Sequence, residues 1–213
     1  MEKETSKKYF YIITSIVSIV AFIGLAVCVK LHLNFINVID SYEHHALVRI
    51  NNLSVPTINF LSNLGSPLVG ILLITGIALF LCYQKKFLAG FLTETAVLLG
   101  NGIAELLKIT IARERPPYQL YLDKSFSFPS GHVFDTTLLI LVIITFILPQ
   151  LKNETYQIIC GVLLVIWNGF IIFSRIYLGM HYFTDVLGSV FLALAIWTFT
   201  LFVRQFYLER VSK

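Results

Sequence analysis

Six stretches of this chain are apolar for about the length needed to cross a bilayer, which constrains the fold before any single residue is weighed. A span takes roughly 20 residues at about 1.5 Å of rise each. The runs are Tyr9–Val29, Pro67–Tyr83, Phe87–Ile109, Gly131–Leu148, Tyr156–Ser174 and Asp185–Tyr207. The second has an alternative start near Thr57, lying partly in the interface. Composition agrees: 57% of the 213 residues are hydrophobic and 13% charged, against about 45–50% and about 25% in soluble domains. Mean hydropathy is +0.80. The expectation is an all-α integral membrane bundle of six transmembrane helices, with residues 1–213 forming a single domain. The first run follows Lys7 and Lys8 but is too long for a signal peptide. Val27 also stands where a lipoprotein-type box before Cys28 would need a small residue, so this run is expected to be a retained helix. Cys28, Cys82 and Cys160 lie in or beside apolar runs and are expected to serve as small hydrophobes. There is no internal repeat and no low-complexity linker.

Six spans put both termini on one side. Lys3, Lys7, Lys8, Lys85, Lys86, Lys152, Arg204, Arg210 and Lys213 fall on that side. Lys30, Arg49, Lys108, Arg113, Arg115, Lys124 and Arg175 fall on the other. The bias is slight and favours cytoplasmic termini. Setting Lys108, Arg113, Arg115 and Arg175 aside would make it clear. Those four cations crowd helix ends on the outer side, either snorkelling to the interface or waiting for an anion. Between the first two spans, "FINVIDSYEHHALVRINN" has an apolar face and a polar stripe of Asp40, Glu43, His44 and Arg49. That pattern fits a helix lying in the membrane surface, with His44 and His45 solvated rather than ligating.

The polar residues that could carry chemistry fall into three groups: "KITIARERP" from Lys108 to Pro116, "PSGH" from Pro129 to His132, and "SRIYLGMHYFTD" from Ser174 to Asp185. With six spans, the loops holding them lie on the same side. Pro116 pushes Arg115 out of helical geometry, so the third helix is expected to end near Arg113. Guanidinium groups on Arg115 and Arg175 suit phosphate oxygens, and the Lys108 ammonium adds a compact charge. Pro129 is expected in the first turn of the fourth helix. Ser130 and Gly131 would then turn free backbone N–H groups toward an anion at the positive end of the dipole. His132 would stand at the rim, able to protonate a departing oxygen. If the sixth helix begins near Gly179–Met180, His181 and Asp185 share its first turn. A carboxylate bonded to one ring nitrogen would then leave the other free to attack. Asp185 would suit the helix start even without that role.

These spacings resemble the type 2 phosphatidic acid phosphatases, a membrane superfamily of lipid phosphate and diphosphate phosphatases. Its signature, K-x6-R-P, then P-S-G-H, then S-R-x5-H-x3-D, occurs without substitution over residues 108–185. The resemblance implies that His181 attacks phosphorus to give a phosphohistidine, that Asp185 holds and activates it, and that His132 protonates the leaving oxygen. It assigns Lys108, Arg115, Ser130, Gly131 and Arg175 to the phosphate oxygens. No cofactor and no metal are implied: two histidines and an aspartate could form a facial metal site, but Lys108, Arg115 and Arg175 around it would repel a divalent ion.

The expected substrate is a membrane lipid phosphate within the bilayer, with no role for nucleic acid. Undecaprenyl diphosphate is slightly preferred over phosphatidylglycerol phosphate and phosphatidic acid. The expected setting is a bacterial cytoplasmic membrane with the site facing the extracytoplasmic side. Two other readings stand beside this one. The first is different chemistry at a similar site, either phosphoryl transfer to another acceptor or the vanadate-dependent oxidation of usually soluble haloperoxidases, which six spans disfavour. The second is a non-catalytic lipid-phosphate binder or transporter, which would have no use for His181 with Asp185. Glu94, Asn101 and Glu105 on the third span have no assigned role beyond a local Glu105–Lys108 pair. Asp135 either orients His132 or faces a polar crevice. The segment 117–128 is expected to shape substrate choice. Oligomeric state is not readable from the residues.

Overall fold

A computed structural model describes the backbone of residues 2–47 and 53–211, with side chains for 6–41 and 53–211. The side chains of Glu43, His44 and His45, and all of Arg49, lie outside the described residues. Helices run α1 Glu2–Lys30, α2 Asn34–Leu47, α3 Val55–Asn63, α4 Pro67–Tyr83, α5 Phe87–Ile111, α6 Gly131–Val142, α7 Glu154–Tyr177 and α8 Phe183–Val211. The six spans are present; the second is α3 and α4 together, from Val55, and the fourth continues α6 to Gln150. The end of the fourth loosens into a π segment, Ile143–Ile147, and a 3-10 turn at Leu148–Gln150, where Pro149 cannot continue the α ladder. The expected interfacial helix exists as α2. It buries Ile36 and Asp40 and leaves Phe35, Val38 and Ile39 exposed.

Helix α6 is central, packed against α4, α5, α7 and α8, while α1 lies along α8. Small residues permit the close approach. A Cβ on Gly70 would stand 2.7 Å from Asp135 Cβ, and one on Gly100 would stand 2.8 Å from the Phe134 ring. The core gathers Phe22, Ile74, Phe128, Phe134, Leu138 and Trp197, all buried. The cysteines are free and partly buried.

Polar contacts sort the two ends of the bundle. At one end Lys8 pairs with Glu209, and the Gln84 amide donates to Gln150. At the other, Lys30 Nζ donates to the carbonyls of Thr110 and Ile111, satisfying acceptors at the C-terminus of α5. Also at that second end, Ser62 of α3 meets Ser174 and Arg175 of α7. The loop 112–130 and the turn 178–182 therefore share one end of the molecule with α2 and α3. They are stitched together directly, Leu120 N–H donating to the Leu178 carbonyl at 3.0 Å.

Candidate active site

Helix α5 ends two residues earlier than expected, at Ile111, because Ala112 turns into the left-handed region with φ 53° and caps the helix by donating to the Lys108 carbonyl. The chain then runs without regular structure to Pro116. Arg113 and Arg115, two positions apart, reach different partners. Arg113 goes to Asp40 and Asp185; Arg115 goes to the segment 123–125 and to the 180–181 turn.

Arg115 is held on four sides. Its Nε donates to the Ser125 carbonyl at 2.9 Å and its second terminal nitrogen to Ser125 Oγ at 2.9 Å. Asp123 pairs with it at 2.8 Å, and Nη1 donates to the Met180 carbonyl at 2.6 Å. Nη1 also lies 3.2 Å from His181 Nε2. Lys108, one turn before the end of α5, pairs with Glu105 at 3.3 Å, as expected. Its Nζ stands 3.8 Å from where a Cβ on Gly131 would be. That places the ammonium over the start of α6, where a side chain at 131 would also press on Pro67.

Helix α6 begins at Gly131, where the fourth apolar run was expected to start, but Pro129 is not in its first turn. Pro129, which follows a cis peptide bond, lies outside the helix; Ser130 is the N-cap and Gly131 the first helical residue. Proline serves here as the rigid approach to the cap. The Ser130 carbonyl accepts the first helical bond, from Phe134, so the earlier N–H groups are not used by the helix ladder. Ser130 Oγ makes no capping bond and is buried without a partner. The same is true of His132 Nε2 and Arg175 Nε. Arg175, in the last turn of α7, is 4% exposed and donates through Nη1 to Ser62 Oγ at 3.3 Å. Lys108, Arg115, Arg175 and His181 all lie near enough to His132 to act on it electrostatically. Buried polar atoms without partners are rare in folded proteins. Here three of them sit on residues singled out as phosphate-handling.

His181 is not in the first turn of α8. That helix begins at Phe183, so the histidine sits in the preceding turn, 2% exposed. Asp185 caps the helix by accepting from the Tyr182 N–H at 2.9 Å, which leaves no room for α8 to start sooner. His181 Nδ1 lies 2.8 Å from the Ser127 carbonyl and 3.6 Å from Asp185 Oδ2. A carbonyl can only accept, so Nδ1 carries the proton and Nε2 keeps its lone pair. The expected direct carboxylate bond is thus replaced by a backbone acceptor from the loop that precedes α6. Burial, opposed by Asp185 and assisted by Arg115 and Arg175, lowers the His181 pKa from 6.5 to about 4. The ring is neutral at pH 7.

Asp135 does not hold His132. Its Oδ1 accepts from the Asn101 amide at 2.7 Å, and its Oδ2 has no partner. Glu94 takes a hydrogen bond from Thr75 at 3.3 Å. The sequence reading missed Arg113 as a ligand of Asp185, Ser62 as a ligand of Arg175, and the Ser127 carbonyl. Only the first left a signal: an extended Arg-x-Arg before proline sends its two arginines apart. A cleft of about 530 Å3, lined by Val29, Asp40, Arg113, Tyr118 and Tyr182 among others, lies on the Arg113 side of the loop.

A six-span bundle that gathers cations and an uncharged imidazole at the start of a buried helix defines a membrane protein built to receive an anion. The family model for the PAP2 superfamily matches residues 90–208, more than half the chain, and the chain belongs to that superfamily. It is 33% identical over 133 residues to phosphatidylglycerophosphatase B of Bacillus subtilis strain 168. The match takes in 60% of this chain and spans 63% of that relative's length. The fold is similar to the crystal structure of the first transmembrane PAP2-type phosphatidylglycerolphosphate phosphatase from Bacillus subtilis. The TM-score is 0.76 at 24% identity, over 94% of this chain and 98% of that one.

Proposed function

We propose that this chain hydrolyses a lipid phosphate at the membrane interface through a covalent phosphohistidine on His181. The observation that carries the reading is the orientation of one ring. His181 Nδ1 is occupied by the Ser127 carbonyl at 2.8 Å, while its unprotonated Nε2 faces the Arg115 guanidinium at 3.2 Å. A nucleophile aimed at an anion-binding group is what attack on phosphorus needs and what a binder does not.

In this reading Arg115, Arg175, Lys108, Ser130 Oγ and the N–H groups at Gly131 take the phosphoryl oxygens. Their charge and dipoles serve the transition state more than the ground state. The Nε2 lone pair attacks phosphorus. The P–O bond to the lipid breaks, its electron pair goes to the leaving oxygen, and His132 passes to that oxygen a proton taken from the bound phosphate monoanion. Water then attacks the phosphohistidine. The P–N bond breaks, its electron pair returns to Nε2, and the proton released by water passes through His132 to the departing phosphate. Asp185 stabilises the positive charge on His181 while phosphorus is attached. No step calls on a metal ion, and the surrounding cations would oppose one.

The relatives' names favour phosphatidylglycerol phosphate as substrate over the undecaprenyl diphosphate preferred from the sequence. Either headgroup would reach a site at the extracytoplasmic interface while its tails stay among the lipid-facing helices, with both termini in the cytoplasm. The test is phosphate release by the purified full chain from phosphatidylglycerol phosphate, phosphatidic acid and undecaprenyl diphosphate, in excess chelator, beside the His181→Ala variant. Chelator-resistant release that vanishes in the variant is expected. Turnover retained by His181→Ala would overturn the covalent mechanism. Loss in chelator reversed by a divalent ion would overturn the metal-free one.

A further inference from the structure

Between α2 and the start of α8 a buried ionic cluster stands behind Asp185, and its other members, Asp40, Arg113 and Thr184, take no part in the phosphate chemistry. Asp40, on the inner face of α2, is 3% exposed. Its Oδ1 accepts from the Thr184 N–H and hydroxyl, each at 3.1 Å, and its Oδ2 lies 2.9 Å from the same hydroxyl. Arg113 spans two carboxylates with its fork, one terminal nitrogen on Asp40 and the other on Asp185. The nitrogen on Asp185 also donates to Thr184 Oγ1 at 2.7 Å. The guanidinium lies 4.1 Å from the centre of the Tyr182 ring. Asp185 thus has one oxygen on Arg113 and the other on the Tyr182 N–H, beside His181 Nδ1.

A buried ion pair gains little net stability over apolar packing, so its retention needs another reason. Here the geometry offers one. The two carboxylates and one guanidinium join three separate segments: α2, the extended stretch after α5, and the first turn of α8. Asp185 has no freedom to rotate while both of its oxygens are engaged.

We propose that Asp40 and Arg113 are positioning residues for the reaction. They form a strut through which the interfacial helix α2 fixes Asp185, and through it the charge beside His181. The proposal rests on the reading of His181 as nucleophile. It requires the planar fork of arginine, because a lysine ammonium can replace the charge but cannot hold both carboxylates in fixed directions. Asp40 touches no reacting atom; it acts by holding Arg113 and Thr184.

The experiment measures kcat and KM of the full chain on dioctanoyl phosphatidic acid for Asp40→Asn, Arg113→Lys, their double variant and His181→Ala. Melting with and without inorganic phosphate checks that each fold and anion site is intact. Each single variant is expected to lose about 10–100-fold in kcat with KM unchanged, by analogy with the outer partners that orient a metal-bound histidine. The double variant is expected to be no slower than Arg113→Lys alone, because one broken joint already frees the strut. Thr184→Val is expected to follow Asp40→Asn and Thr184→Ser to restore turnover; this pair decides if Asp40→Asn does not fold. Wild-type kcat in the single variants beside an inactive His181→Ala would overturn the strut and leave the nucleophile standing. So would single losses that multiply in the double variant. An active His181→Ala would instead overturn the nucleophile reading beneath it.

Discussion

His181 Nδ1 is closer to the backbone of Ser127, at 2.8 Å, than to the carboxylate of Asp185, at 3.6 Å. The proton on Nδ1, and with it the lone pair on Nε2, is therefore set by a carbonyl that no side-chain substitution removes. Asp185→Asn should lose the negative charge that steadies the phosphohistidine while keeping the correct tautomer. The expected kcat loss is about 100-fold, well short of the roughly 10⁴-fold seen where removing a carboxylate also misplaces the proton. Steady-state kinetics of Asp185→Asn beside His181→Ala checks this; equal losses would mean that Asp185 sets the tautomer after all.

Burial makes His181 harder to protonate in the folded chain, about 4 against 6.5 when unfolded. Above pH 6.5 both states hold the ring neutral and the group adds no pH dependence. As pH falls from 6.5 toward 4 the unfolded chain takes up the proton first, so stability is lost across that window. The full loss is about 3 kcal/mol. Melting temperature in detergent should fall over the window for the wild type. It should fall less for His181→Gln, which has no group to protonate there.

The outline of this arrangement was legible in the residues because hydrophobic length and short polar spacings are local properties. Lys108, Arg115, Ser130, Gly131, His132, Arg175, His181 and Asp185 do come to one end of the bundle. What the residues concealed was which neighbour each polar atom would choose. Ser127 contributes a carbonyl that any residue at that position would also carry. Ala112 adopts a left-handed turn usually given to glycine, so α5 stops before Arg113 and the next stretch stays extended. The start of α8 shifted for a comparable reason: Asp185 bonds the Tyr182 N–H, and a cap of that kind is invisible to periodicity. Asp135 is a tertiary matter, since α5 brings Asn101 beside it.

Gly179 joins the two loops that carry Arg115 and His181. Its φ of +64° is easily reached only by glycine, and an added Cβ would meet the Tyr118 carbonyl oxygen at 2.8 Å. Gly179→Ala should therefore part the 118–120 segment from the 178–182 turn, at a cost of about 1–3 kcal/mol. A lower melting temperature with kcat reduced, though no phosphate-handling side chain has changed, is the expected result. An unshifted melting temperature would show that the turn adapts.

Arg175 separates the electrostatic part of the anion site from its geometric part. Its Nε is buried with no partner, while Nη1 leans on Ser62 of α3 at 3.3 Å. If Nε awaits a phosphoryl oxygen, Arg175→Lys keeps the charge but loses the directed donor. By the measure of a single oxyanion donor, kcat should fall about 10²–10³-fold. Ser62→Ala removes the brace and an acceptor of the Ser174 hydroxyl but leaves the guanidinium able to turn toward the substrate, and should cost far less. Inhibition by inorganic phosphate offers a second readout: its inhibition constant should rise strongly for Arg175→Lys and little for Ser62→Ala. The reverse order would place the importance of Arg175 in holding α3 against α7 rather than in binding the anion.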